Sequence, residues 1–177
     1  MKVALVIGHK SSSGGARGQD GTTEYTYNRE LVYKVASFLL EHTSVSTKIV
    51  YRTEYKDLPD QINKDSPDLI VSFHCNAYNG MVSGTEVLYY NKSSKGQHIA
   101  SVLQVAMLGA LGLRDRGIKG KGAEDRGGYL LRYTKAPCVL LESFFIDNPS
   151  DLAIGVHRKE FLAKVIAEAI ARLGDTG

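Results

Sequence analysis

The chain has 177 residues, with 22 Lys and Arg against 19 Asp and Glu, for a formal net charge of +3 at pH 7. Residues are 43% hydrophobic and 23% charged, the balance of an ordinary globular domain, which excludes a disordered tail and a fibre; the length suits one domain whose core needs no disulfide or metal staple. The basic excess is too weak to argue for nucleic acid, and the longest nearly apolar stretch, Ser101 to Leu113, is interrupted by Gln104 and falls short of the ~20 residues of a membrane span.

In chain order, the first apolar run is Val3 to Ile7, followed at once by Gly8 and His9. It is too short for the core of a signal peptide and has no cleavage site after it, so it reads as a strand, Val3 to Gly8, of a protein made and kept in the cytosol. A mobile loop with four glycines from Gly14 to Gly21 comes next, then a helix from Thr23 to Glu41. Its Tyr27, Leu31, Val35, Phe38 and Leu39 share one stripe, and Thr22 or Thr23 is the N-cap candidate. The runs Thr47 to Arg52, Asp68 to Phe73 and Thr85 to Tyr90 read as strands, with a short helix over Leu58 to Lys64 and a long one over Ser94 to Leu111. Seven glycines between Gly109 and Gly128 predict a second mobile loop, after which Tyr129 to Tyr133 and Cys138 to Leu141 read as the last strands and Lys159 to Leu173 as the last helix. The alternation predicts a single-domain α/β fold in which helices flank a six-stranded, mostly parallel mixed sheet. Cys75 and Cys138 match neither a metal knuckle nor a disulfide-rich pattern and read as free thiols. The closing Gly-Asp-Thr-Gly reads as a cut point that leaves room for a further domain.

Three apolar strands end in a titratable residue: Val-Ile-Gly-His9, Ile-Val-Ser-Phe-His74 and Val-Leu-Leu-Glu142. In open α/β sheets ligands sit outside the carboxyl ends of strands, so His9, His74 and Glu142 can share a cleft. Glu24 opens the first helix and can fold back over the end of the first strand. Zinc hydrolases hold their metal with three nitrogen or oxygen ligands and keep one position open for water, and two histidines with one carboxylate are such a set. The remaining carboxylate then takes a proton from the water that the metal activates.

The segments Gly8-His9, Glu24-x-x-x-Asn28, Ser72-x-His74-x-Asn76, Gly84-x-Glu86 and Glu142 through Phe145 to Asn148 resemble the third family of zinc-dependent N-acetylmuramoyl-L-alanine amidases, which includes bacterial cell-wall amidases and phage endolysin domains. The likeness spans nearly the whole chain and departs from the common pattern at Lys10 and Phe144, each standing where a glycine is usual. It implies Zn2+ on His9, Glu24 and His74, Glu142 as the catalytic carboxylate, and hydrolysis of the amide between N-acetylmuramic acid and the L-alanine of the peptide stem. It implies bacterial peptidoglycan as partner and no organic cofactor; the oligomeric state is open, with a monomer as the default. The wall would be reached after release by phage or mother-cell lysis, and the further domain after Gly177 would be a wall-targeting one.

Other marked residues receive quieter readings. Glu86 lies inside its strand and reads as an orienting or structural residue; Asn28 and Asn76 can orient the ligands. His42, His98 and His157 lack a strand-end context and read as surface residues. The segment Arg114 to Arg126 carries five basic and three acidic residues and either faces stem-peptide carboxylates or is a solvated loop. No Walker or Rossmann glycine spacing follows the first strand, which leaves nucleotide binding without support. Two rivals are a cysteine hydrolase built on Cys75 beside His74 and a non-catalytic wall-binding module. Strand alternation argues against the first, since neighbours on a strand point to opposite faces.

Overall fold

A computed structural model describes residues 1–175; Thr176 and Gly177, and with them the end of the Gly-Asp-Thr-Gly segment, lie outside the described residues. Strands β1 (Lys2–Ile7), β2 (Ser46–Tyr51), β3 (Leu69–Asn76), β4 (Thr85–Tyr90), β5 (Asp115–Lys121) and β6 (Cys138–Phe145) form one sheet in the order β2-β1-β3-β6-β4-β5. The first four in that order run parallel; β4 is antiparallel to β6, and β5 is parallel to β4. The sheet is the expected mixed, mostly parallel one. β1, β3 and β6 are near-continuous apolar runs because both of their faces are covered.

The two coverings differ. Helices α1 (Glu24–His42), α3 (Ser94–Leu111) and α6 (Lys159–Asp175) lie over the face that carries Leu5, Val71, Phe73, Val139 and Leu141, and they bury Tyr27, Leu31, Leu103 and Ile166 against it. The other face carries Ala4, Val6, Ile70, Leu88 and Leu140 and is covered by the six-residue helices α2 (Leu58–Asn63) and α4 (Gly128–Tyr133), with Tyr55 and Ala136 packed beside them. Short helices cannot roof the whole face, and the part beyond them stays open as a cleft. A further helix, α5 (Pro149–His157), follows β6; Asn148 caps it by accepting from the Ser150 and Asp151 amides, and Pro149 occupies its first turn.

Two sequence expectations are corrected. Tyr129 to Tyr133 is helical, within α4, and not a strand. The adjacent Leu130 and Leu131 both enter the same core cluster, which a one-sided strand cannot achieve, and Tyr129 meets Tyr133 at 4.7 Å between ring centroids, the contact of residues one helical turn apart. Conversely the Gly-rich segment after Gly112 holds the edge strand β5. Its sequence hides this because almost every side chain is charged or absent, as befits an edge that must not pair with another chain. At Glu86 two residues of β5, Arg116 and Gly117, stand opposite one of β4, a bulge that Gly117 permits with φ +75°.

Candidate metal centre and its cleft

β3 and β6 do not stop at His74 and Glu142 as their apolar runs suggest; they continue to Asn76 and Phe145, which pair with each other. A bulge makes this possible: Ser143 and Phe144 together face Cys75, which turns Phe144 from the cleft side into the core against Tyr27, with ring centroids 4.8 Å apart. His74, Glu142 and Glu86 thus form a row across β3, β6 and β4 in register, all on the thinly covered face.

His9 reaches the same place from β1. The Gly8 amide donates to the Phe73 carbonyl at 3.0 Å, and His9 then adopts φ 64°, a left-handed conformation that turns the chain out of the sheet. A Cβ on Gly8 would lie 2.4 Å from the Phe73 oxygen and 2.6 Å from the His74 ring. One on Gly15 would lie 2.6 Å from Glu24 Oε2 and 2.7 Å from the His9 ring, so both positions require glycine. Glu24 is the first residue of α1, whose N-cap is Thr23. Glu24 is 2% exposed, and its Oε1 lies 2.8 Å from His74 Nδ1 and accepts from the Cys75 amide. Its Oε2 lies 3.1 Å from His9 Nε2 and accepts from the Ala16 amide. The donor atoms of His9, Glu24 and His74 all lie within 4.8 Å of one another, the single such cluster among the described residues. Two imidazole nitrogens and one carboxylate oxygen around a common point suit zinc, and the amides on Glu24 fix the carboxylate as a supporting shell should.

Charge is tuned by burial here. Burial pushes the Glu24 carboxyl up, but hydrogen bonds and charge from His74 and His9 outweigh it and hold the group well below the usual carboxylate range. Burial lowers His74 despite Glu24, which favours the neutral imidazole that a metal needs. Glu142 is the opposite case: burial, then the charge of Glu24, push its carboxyl well above its ordinary value against the pull of Arg126. Its Oε2 is enclosed and has no hydrogen-bond partner. Glu86 beside it is fully engaged, accepting from Asn76 Nδ2 and Arg116 Nε at 2.9 Å each, while the Arg116 guanidinium stacks 4.9 Å above Phe145. Asn28 supports the other side, donating from Nδ2 to the Glu24 carbonyl at 2.9 Å.

The row opens into a cleft of about 660 Å³, lined also by Arg52, Tyr55, Lys121, Arg126 and Tyr129. Arg52, Tyr55 and Tyr129 carry no sequence signal, since each looks like any surface residue. Lys121 and Arg126 belong to the charged segment, whose Arg116 is instead bound to Glu86. A larger cavity of about 750 Å³, at the edge that includes Met1, His98 and Leu173, holds no comparable cluster of donors. His42, His98 and His157 are exposed. Cys75 is 3% exposed in the core on the far side of β3, and burial drives its thiol far above its ordinary range, so the cysteine-hydrolase alternative has no accessible nucleophile.

Residues 3–172 match the profile of the N-acetylmuramoyl-L-alanine amidase family Amidase_3. The chain belongs to that family. Among curated amidase relatives it is 29% identical over 152 residues to the N-acetylmuramoyl-L-alanine amidase LytC of Bacillus subtilis (strain 168), a match covering 81% of this chain and 29% of LytC. Among solved structures it is similar to the catalytic domain of CwlV, an N-acetylmuramoyl-L-alanine amidase from Bacillus (Paenibacillus) polymyxa var. colistinus, at 27% identity and TM-score 0.85, covering 99% of both chains. It is likewise similar to the catalytic domain of an endolysin targeting Clostridia difficile, at 28% identity and TM-score 0.84, covering 97% of both. The amidase fold therefore accounts for nearly all of the chain.

Proposed function

We propose that this chain hydrolyses the amide between the lactyl group of N-acetylmuramic acid and the L-alanine of the peptide stem in bacterial peptidoglycan. His9, Glu24 and His74 hold a zinc ion, and Glu142 moves the proton. The observation that carries the reading is the convergence of three donor atoms within 4.8 Å, in the same cleft as a carboxylate with an unpartnered oxygen. Zinc, when bound, supplies a Lewis acid that polarises the amide carbonyl and makes water a nucleophile near neutral pH.

The remaining chemistry belongs to the chain. Glu142 accepts a proton from the attacking water as the new carbon–oxygen bond forms, and returns it to the nitrogen as the carbon–nitrogen bond breaks. The products are a lactyl carboxylate and a stem peptide with a free L-alanine amine. Burial raises the affinity of Glu142 for that proton. Glu86 is held by Arg116 and Asn76 and does not compete for the role. Among the described residues no helix is long and apolar enough to cross a membrane. Action on the wall after release by lysis is the delivery route we propose, with the chain as a catalytic domain.

Mass spectrometry of purified wall digested by the protein tests this. New L-alanine amino termini, equal in number to stems released from intact glycan, are expected, together with loss of activity in a chelator and recovery on adding zinc. Wall binding without any released stem identifies a binding module and overturns the reading.

A further inference from the structure

The proposed reaction leaves three cations of the cleft without a role. Arg52 follows β2 on one wall; Lys121, the last residue of β5, and Arg126, in the turn before α4, form the other. Elsewhere Lys10, Lys48, Arg116 and Lys159 each meet a carboxylate at 2.5 to 2.9 Å. Arg52, Lys121 and Arg126 meet none among the described residues, although Glu124 and Asp125 line the same cleft. The Asp125 carboxylate instead accepts from the Gly122 amide at 2.8 Å. Arg52 lies over the Tyr55 ring, 5.4 Å from its centroid, and its Nε is enclosed without an acceptor. An enclosed charged donor with no acceptor is costly, and three like charges around one cleft repel; an arriving anion relieves both.

We infer that Lys121 and Arg126, with Arg52 facing them, form an anion subsite for a carboxylate on the peptide side of the scissile amide. The inference rests on the amidase reading. On the sugar side of that bond the N-acetyl sugar offers hydroxyls and acetamides, whereas a stem peptide carries carboxyl groups, so charge complementarity selects the peptide side. An arginine fork matches a carboxylate with two parallel hydrogen bonds, and a facing lysine adds a point charge. Arg126, Lys121 and Glu142 line the same cleft, which puts the subsite beside the bond that breaks.

The test uses two synthetic muramoyl peptides that differ only in whether the second stem residue bears a carboxylate or a carboxamide. The wild-type protein should favour the carboxylate by roughly tenfold in kcat/KM, mainly through KM, as a partly desolvated charge-assisted hydrogen bond does. Arg126→Ala and Lys121→Ala should each pull that ratio toward one, and Arg126→Lys should retain part of it. No preference in wild type, or a ratio unmoved in Arg126→Ala, Lys121→Ala and Arg52→Ala alike, overturns the subsite. These peptides contain no phosphate, so a wall polyanion cannot produce the effect. Calorimetry with the same two peptides separates the claims: carboxylate-selective binding without cleavage keeps the subsite and overturns the amidase reading, and equal binding of both overturns the subsite.

Discussion

The two faces of the sheet have different coverings, and the candidate metal centre lies on the thinner one. Three helices of 17 to 19 residues seal one face into a dry core; two helices of six residues leave the carboxyl ends of β3 and β6 open on the other. Consecutive residues therefore have opposite fates. His74 faces the cleft, while Cys75 is locked away with its sulfur beside Asn28. The period of two in a strand thus decides which side chain enters the cleft and which is packing.

Substitutions on the two faces should separate stability from turnover. The largest effect on stability belongs to Phe144→Ala on the sealed face, about 3–5 kcal/mol, because the ring fills the space between Tyr27 and Gly155. Denaturant unfolding measures it; a loss below about 1 kcal/mol would mean that the bulge places no essential ring there. Next comes Cys75→Ala, with a cost of about 1 kcal/mol and turnover close to wild type. A large fall in rate without a fall in stability would return Cys75 to the chemistry.

The cleft face should show the reverse. Glu142 has its carboxyl raised in the fold, so the folded protein holds the proton more tightly than the unfolded chain. Its cost to stability is absent below the ordinary carboxylate pKa and sets in as pH rises above it. Metal-free Glu142→Gln should therefore be more stable than metal-free wild type by about 1 kcal/mol at pH 7, with the gain gone near pH 4. A gain that persists unchanged at pH 4 contradicts the direction assigned to Glu142. Glu24 has the opposite sign: its carboxyl is depressed, and its contribution is present above the ordinary value and lost as pH falls below it.

Much of this division was legible in the sequence, and the failures are physical. The parallel strands announce themselves because burial on both faces leaves few polar residues in them, and α1 and α3 show helical apolar spacing, α1 with its N-cap as well. His9, Glu24, His74 and Glu142 stand out by strand and helix ends, although β3 and β6 run on past their site residues through a bulge that no periodicity records. Tyr129 to Tyr133 is too short an apolar run to tell helix from strand without its partners. β5 has Ile118 as its one large apolar residue and exists through pairing with β4. Arg52 and Tyr55 reach the cleft from beyond the sheet edge, a tertiary placement with no local pattern.

The division of labour between the two carboxylates is tested most directly by measuring zinc content and turnover together in Glu142→Gln and Glu24→Gln. The account predicts that Glu142→Gln retains about one zinc per chain while its turnover falls by ~10²–10⁴-fold, as expected for loss of a general base. Glu24→Gln should lose zinc affinity along with rate. If Glu142→Gln loses its metal while Glu24→Gln keeps both metal and most of its turnover, the ligand and the proton carrier have been assigned the wrong way round.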